Sequence, residues 1–141
     1  MISILIESDL LLASIKKEDR LKPIAKRILD GIDSGKLEGI YASVVTIQEI
    51  VFWFYNRQLL GDMIIAVNAL IHLKNVEWVG LTPDICLAAS ALMNEYKVSP
   101  FDAYHVATAI SKDKEIVSTE HIYDRIKGVK RVDPKELVLT F

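Results

Sequence analysis

Residues 99–110 of the chain read SPFDAYHVATAI, and no other stretch says as much about the fold. Ser99 and Pro100 are typical of a helix start, since a serine hydroxyl accepts an early backbone N–H and proline needs no N–H there. Asp102 then falls in the first turn, where it can serve as the acid of a capping box or as part of a functional site. The residues that follow predict a helix that ends near Lys112.

On both sides of this helix, short apolar runs alternate with helical periodicity. Strands are predicted at Ile2–Ile6, Gly39–Ala42, Val76–Val79, Glu115–Ser118 and Lys130–Val132. Further helices are predicted over Leu10–Ile15, Pro23–Gly35, Ser43–Tyr55, Gln58–Leu73, Thr82–Tyr96 and Ile122–Ile126. Strands that alternate with helices favour a mostly parallel sheet covered on both faces, in one domain that spans residues 1–141.

Charge and cysteine content exclude several classes of protein. The formal net charge of -2 excludes a strongly basic nucleic-acid-binding tail but leaves room for a local basic rim around an acidic pocket. Cys86 is the single cysteine, which excludes a disulfide framework and a cysteine metal site and predicts a reducing, cytoplasmic location. Candidates for a basic rim, with a solvated face as the alternative, are Lys16, Lys17, Arg20, Lys22 and Arg125.

Two apolar stretches have features that argue against association with a membrane. Met1–Ile15 lacks a basic start and contains Glu7 and Asp9, so it favours a buried strand over a signal peptide. Leu59–Leu73 is too short to span a bilayer and contains Asp62. We therefore expect no membrane contact.

Four carboxylates in apolar surroundings form the candidate site. Glu7 and Glu120 follow apolar strands, at the edge where parallel sheets collect ligands, although a strand-end or turn role is the alternative for each. Glu49 lies in a helix that is apolar in nearly every direction, so its charge needs a metal ion or a basic partner. Asp102 is the fourth acid. Buried carboxylates are costly without a cation, which favours a divalent-metal site and suggests phosphodiester cleavage.

Five polar residues near these acids complete the set. Ser8 or Asp9 is predicted to cap the first helix, and both are candidates for a supporting role in the site. Ser118 is expected to bond a neighbouring carboxylate or a phosphate, with turn formation as the alternative. Asp124 is a further candidate, with a solvated surface role as the alternative. His105 is interpreted as a packed, hydrogen-bonded side chain rather than a metal ligand.

Four motifs of the chain resemble, in family order, those of the PIN domain, the metal-dependent nuclease family that includes the VapC-type toxin ribonucleases. The most specific is Phe101–Ala109, which follows the family's helix of an acid, alanine, histidine and small residues. Ile4–Asp9 is similar to the family's strand and first acid, Ser43–Ile50 to its helix with an acid after serine and threonine, and Ile116–Tyr123 to its later strand and acid. The resemblance covers almost the whole chain.

This resemblance implies a three-layer α/β/α fold with a five-stranded, mostly parallel sheet in the order 3-2-1-4-5. It also implies that Mg²⁺ or Mn²⁺ is held by four catalytic carboxylates, namely Glu7, Glu49, Asp102 and Glu120. Glu7 and Glu120 depart from the pattern, because aspartate is usual at both positions. A displacement of ~1 Å at a reacting centre can lower a rate by roughly 10²-fold, so reduced activity is one expectation.

The function implied by the resemblance is a metal-dependent endoribonuclease of the toxin type, held inactive by an antitoxin peptide and forming a homodimer. The apolar stretch Ile50–Leu73 is the surface expected to serve either protein contact. The alternative is a degenerate PIN-like module that binds RNA or protein with weak or no nuclease activity. A nuclease of rRNA processing or DNA repair would share the same site.

Overall fold

The computed structural model describes residues 3–141, in which a five-stranded parallel sheet is covered by helices. The strands are β1 (Ile4–Ile6), β2 (Ile40–Ser43), β3 (Glu77–Val79), β4 (Glu115–Val117) and β5 (Lys130–Val132). They pair in the order β3-β2-β1-β4-β5, and every pair is parallel. The predicted α/β fold class and strand order are confirmed. Ile2 of the predicted first strand lies outside the described residues.

Helices connect these strands. They are α1 (Ser8–Ile15), α2 (Lys22–Asp33), α3 (Val45–Asn56), α4 (Leu60–Ile71), α5 (Pro83–Tyr96), α6 (Pro100–Ile110) and α7 (Pro134–Val138). A 3₁₀ helix spans His121–Arg125 and replaces the short helix predicted over Ile122–Ile126. The sequence analysis did not predict α7. None of the helices within residues 3–141 combines the length and the hydrophobicity of a membrane-spanning helix.

Two helix starts follow the capping rules that predicted them. The Thr82 hydroxyl accepts the backbone N–H of Ile85 at 3.2 Å at the start of α5. The Ser99 hydroxyl accepts that of Asp102 at 3.4 Å at the start of α6. Proline follows the cap in both helices, where its missing N–H costs nothing.

The start of α1 differs from the prediction, because the cap is Glu7 rather than Ser8 or Asp9. The Glu7 carboxylate accepts the backbone N–H of Asp9 at 3.3 Å. The helix therefore begins one residue earlier than a serine cap would place it. The physical reason is that the Ser8 side chain points to α3 and α6 instead, where it has other partners.

Alternate side chains of the sheet enter two hydrophobic cores, one on each face, because successive residues of a strand point to opposite sides. Ile4 and Ile6 of β1 belong to the core shared with α1, α2, α3, α4 and α7. Leu5 of the same strand belongs to the core shared with α5 and α6. β1 thus lies between two helical layers, and its carboxyl end opens at the point where strand order reverses.

Candidate metal centre

The four predicted carboxylates line one cleft beyond the carboxyl end of β1. Glu7 directly follows β1, Glu49 projects from the middle of α3, Asp102 lies in the first turn of α6, and Glu120 follows β4. The cleft has a volume of about 650 Å³. The fold therefore brings acids from four separate elements to one place, although not to the same depth.

The deepest part of the cleft is formed by Glu7, Glu49 and His105, which we call the inner cluster. One ligand atom of each residue lies within 4.8 Å of the other two. His105 Nε2 is 2.5 Å from Glu49 Oε1 and 3.8 Å from Glu7 Oε1. Glu7 is 4% exposed and His105 is fully buried, whereas the Glu49 side chain keeps 24% of its surface exposed. Glu49 is therefore the member most accessible from the cleft.

Ser8 connects the inner cluster to α1. Its hydroxyl donates to Glu49 Oε1 at 2.5 Å and lies 2.9 Å from His105 Nε2 and 3.3 Å from the Thr46 hydroxyl. A hydroxyl carries one proton, and because Ser8 donates it to Glu49, its oxygen faces His105 Nε2 as an acceptor. Ser8 thus orients both the carboxylate of Glu49 and the ring of His105.

The position of His105 was only partly predicted. Its ring is buried and hydrogen-bonded, as interpreted from the sequence, but its partner is the candidate acid Glu49. Its other nitrogen, Nδ1, is buried without a hydrogen-bond partner among the described residues. The sequence did contain a signal for this position. His105 follows Asp102 by three residues, and such pairs share one side of a helix.

Histidine, rather than lysine or arginine, is the basic neighbour of the inner cluster. Within residues 3–141, no lysine or arginine forms an ion pair with any of the four predicted carboxylates. Burial raises the pKa of Glu7 well above its usual value, and the negative charges of Asp9 and Glu49 raise it further. A bound divalent cation would invert this effect, because it is the largest local charge in such a site.

Asp102 and Glu120 line the wall of the same cleft, and we call them the outer acids. The buried Tyr123 donates its hydroxyl to Asp102 Oδ1 at 3.2 Å. Glu120 is exposed, and its pKa is raised first by partial burial and then by the negative charges of Asp9 and Asp102. Neither joins the 4.8 Å group in the part of the chain that the structure describes. Two of the four predicted acids are thus in close contact and two stand apart.

Ser118 and Asp9 fasten the end of β4 to the end of β1. The Ser118 hydroxyl donates to Glu7 Oε2 at 3.1 Å and accepts the backbone N–H of Glu120 at 2.9 Å. Asp9 Oδ2 accepts the backbone N–H of Thr119 at 2.9 Å and its hydroxyl at 2.7 Å. The predicted bond between Ser118 and a neighbouring carboxylate is confirmed. Asp9, although not the cap of α1, holds the loop that carries Glu120.

Asp124 is not among the residues that line the cleft, and its supporting role stays a prediction. Its exposed carboxylate accepts a hydrogen bond from Arg131 Nε at 2.9 Å and contacts His121 Nδ1 at 3.0 Å, and these partners lower its pKa. Residues three apart eclipse one another in a 3₁₀ helix, which places Asp124 beside His121 and away from the acids. Arg131 also donates to the Ser118 carbonyl at 3.0 Å.

Basic residues line the cleft at some of the predicted positions. Lys16 and Arg20 contribute to its wall, as does Arg57, which the sequence analysis did not select. The Arg57 guanidinium lies 3.9 Å from the centre of the Trp53 ring. The cleft therefore combines a deep negative end with positive side chains in its lining. The remaining rim candidates, which are not part of that lining, are Lys17, Lys22 and Arg125.

Comparison with known proteins agrees with this geometry. A family model for the PIN domain matches residues 4–129. The fold is similar to that of DNA-bound VapBC from Salmonella typhimurium, with a TM-score of 0.73 and 14% identity over 95% of this chain and 99% of that one. It is also similar to VapC20 of Mycobacterium tuberculosis, described as a Sarcin-Ricin loop cleaving toxin, with a TM-score of 0.71 and 19% identity over 86% and 93% of the two chains.

A toxin-antitoxin complex from Klebsiella pneumoniae is a further structural neighbour. Its TM-score is 0.65 and its identity 21%, over 94% of this chain and 98% of that one. No curated protein matches the chain significantly. At such identities the structural neighbours bear on the fold alone.

Proposed function

The chain belongs to the PIN domain family, and on that premise we propose that it is a metal-dependent endoribonuclease that cleaves RNA phosphodiester bonds. The observation that carries the proposal is the inner cluster, in which Glu7 and Glu49 are close together with no lysine or arginine to neutralise them. Such an arrangement is costly in an apolar interior unless a cation binds it.

The donor set fits Mg²⁺ or Mn²⁺. Both ions prefer carboxylate oxygens, which Glu7 and Glu49 supply, while His105 orients Glu49 through its ring. In this proposal Glu7 and Glu49 hold the cation, while Asp102 and Glu120 complete its surroundings from the cleft wall. A divalent cation in such a site stabilises negative charge on the phosphodiester and makes water a stronger nucleophile at neutral pH.

The protein's own side chains prepare this site through hydrogen bonds. Ser8 fixes one oxygen of Glu49, and Ser118 fixes one oxygen of Glu7. Tyr123 fixes Asp102. Because the pKa of Glu7 is raised, this residue must give up a proton when it becomes a ligand, so binding of a cation is expected to release protons. Lys16, Arg20 and Arg57 supply positive charge for phosphates away from the acids.

The proposal extends to partners. One fold relative is described as a Sarcin-Ricin loop cleaving toxin, and others are toxin-antitoxin complexes, which supports RNA as the substrate and an antitoxin as a protein partner. A second copy of the chain is the other partner that we propose. Apolar side chains of α4 lie exposed within the stretch Ile50–Leu73, among them Leu60, Ile64 and Ile65. An apolar surface of this kind favours contact with protein. A cytoplasmic location would suit each of these roles.

A degenerate module that binds without cleaving is the second candidate function. The observation that favours it is that Glu49 is already bonded to His105 and Ser8, while Glu120 remains at the surface. Glu49 and Glu120 can thus satisfy their surroundings without a metal ion. Weak or absent cleavage would follow.

The two candidates are separated by incubating the purified protein with labelled RNA and Mn²⁺ beside Asp102→Asn and a matched control, Glu95→Gln. Glu95 is an exposed acid on α5, far from the cleft lining. We expect the unmodified protein and Glu95→Gln to cleave equally, and Asp102→Asn to cleave about 10²-fold more slowly. EDTA should stop cleavage in all three samples.

Two outcomes would contradict the ribonuclease proposal. Equal cleavage by Asp102→Asn and the unmodified protein would reveal a contaminating nuclease. Absence of cleavage by every sample, together with no heat of Mn²⁺ binding in calorimetry, would favour the degenerate module.

A further inference from the structure

We propose that Phe52 and Phe101 form an aromatic wall that stacks an unpaired nucleobase next to the phosphodiester that is cleaved. This inference rests on the proposed function and specifies its substrate as RNA with at least one unpaired, accessible base. It concerns two side chains that neither the metal centre nor the hydrophobic cores employ.

The exposure of Phe52 needs an explanation. Phenylalanine normally stabilises a fold by burying its large apolar ring, yet Phe52 is 48% exposed. Its nearest aromatic neighbour is Phe101, with ring centroids 6.0 Å apart and planes tilted by 45°. Neither ring belongs to the two hydrophobic cores. The pair is therefore available for a ligand rather than needed for packing.

The aromatic wall lies beside the acids. Phe52 follows Glu49 by three residues on α3, so the two side chains share one side of that helix. Phe101 directly precedes Asp102 in the first turn of α6. Both rings line the same cleft as the four acids. A ring system in this position can contact a nucleotide that adjoins a phosphate held at the metal centre.

The chemistry of the cleft favours RNA over a protein helix as the occupant of this wall. An amphipathic helix seeks a continuous apolar groove, but here charged residues such as Asp19, Arg20 and Glu49 interrupt the lining. Aromatic rings beside cationic side chains are instead the usual combination for a single strand, because bases stack on the rings and phosphates pair with the cations.

The wall has a consequence for which RNA can bind. In an A-form duplex the bases are stacked inside and an exposed ring cannot reach their faces. A base in a loop, a bulge or a single strand offers its face freely. The aromatic wall therefore selects unpaired segments through stacking, whatever the sequence, because every base has a π-face.

The test compares binding of an intact labelled hexanucleotide with binding of its abasic variants in the presence of Mn²⁺. Each variant has one abasic nucleotide, at a different position. Binding is measured by fluorescence anisotropy in the Asp102→Asn background, in which the expected cleavage is slow, within the first minutes after mixing. Phe52→Ala removes the ring, and Phe52→Leu keeps an apolar side chain without a π-face. Tyr55→Ala is the matched control, since Tyr55 is 63% exposed on the same helix but outside the cleft lining.

We expect Phe52→Ala and Phe52→Leu each to weaken binding of the intact RNA on the order of 10-fold. At one abasic position the same substitutions should have little effect, because the stacked base is already absent. Tyr55→Ala should bind the intact and abasic RNAs as its parent does. Far-ultraviolet circular dichroism should show that all variants keep their helical content.

Equal losses for the intact RNA and for every abasic RNA would overturn the stacking proposal, as would an equal effect of Tyr55→Ala. A Phe52→Ala variant that binds RNA normally but no longer self-associates in light scattering would also overturn it and assign the wall to a protein contact. Failure of the unmodified protein to cleave RNA would count against the nuclease instead, since the binding comparison does not depend on cleavage.

Discussion

The inner cluster and the outer acids lie in one cleft but differ in how firmly the protein holds them. Glu7, Glu49 and His105 come from three elements and are joined by Ser8 and Ser118 through contacts of 2.5–3.8 Å. Asp102 accepts one side-chain bond, from Tyr123, and the Glu120 carboxylate accepts none from the described residues. The protein thus fixes one half of its candidate site before any ligand arrives and leaves the other half free to adjust.

This difference suggests that the inner cluster and the outer acids have different roles. A site that is rigid at the metal and adjustable at its wall keeps cation geometry strict while tolerating movement of the substrate. Glu49 should therefore respond more strongly to substitution than Asp102, and the exposed Glu120 should respond least. Each of the following measurements can break or sharpen that contrast.

The largest effect is expected for Glu49→Gln, which keeps the size of the side chain but removes a charged ligand. Loss of several kcal/mol of interaction with the cation should lower RNA cleavage by roughly 10³-fold. Calorimetry should show Mn²⁺ binding falling in parallel. Cleavage that stays within a few-fold of the unmodified protein would remove Glu49 from the metal centre.

His105→Gln should produce the next largest effect, since it deletes the ring that orients Glu49. Partners that orient a metal ligand typically contribute about 10- to 100-fold to metal affinity, and we expect a loss in that range. A Mn²⁺ titration measures it directly. An unchanged affinity would show that Ser8 alone is enough to hold Glu49.

Glu120→Gln should have a smaller effect, less than about 10-fold on cleavage, because the carboxylate is exposed and weakly held. Kinetics that separate kcat from KM should place the change mainly in KM. If Glu120→Gln were as damaging as Glu49→Gln, the contrast between the two halves of the cleft would be lost.

The smallest effect is a dependence of stability on pH in the metal-free protein. The pKa of Glu7 is raised by folding, so the folded state holds its proton at a pH where the unfolded chain has released it. The free energy of unfolding should therefore fall as pH rises above the usual pKa of 4.5, which scanning calorimetry would register as a decrease in Tm. The lowered pKa of Asp124 affects the free energy of unfolding only at more acidic pH, because the usual pKa of this group is 3.8.

Glu7→Gln is the control for this pH dependence, since it cannot titrate and should flatten the slope. Added Mn²⁺ should restore Tm at the higher pH values, because cation binding favours the ionised acid. A slope that survives in Glu7→Gln would assign the pH dependence to other groups.

Much of the fold was predictable because local chemistry decides it. Thr82 with Pro83, and Ser99 with Pro100, mark helix starts whatever the rest of the chain does, since cap and proline act within one turn. Asp133 with Pro134 carries the same signal, and Asp133 accepts the N–H of Lys135 at 2.8 Å, yet α7 was not predicted. Its five residues are too few to show helical periodicity.

The sequence predicted which acids line the cleft but not which side chains they contact. The sequence places acids after strands and within apolar helices, which is a local property of Glu7 and Glu49. That Ser8 would turn from capping α1 to bonding Glu49 depends on how α1, α3 and α6 pack, which no local pattern contains. That His105 would face Glu49 and Asp124 would face Arg131 depends on tertiary packing in the same way.

The bond between Glu49 and His105 also has a consequence for the stability of the fold. α3 packs with the core on one side of the sheet, and α6 packs with the core on the other side. The bond between Glu49 and His105 therefore joins the two helical layers beyond the edge of the sheet. A cation held by Glu49 would restrain this carboxylate beside His105, and removal of the cation would remove that restraint. Glu49 would then serve both the metal centre and the contact between the two layers. Chelation should therefore speed proteolysis of the chain, even though neither core contains a metal ligand.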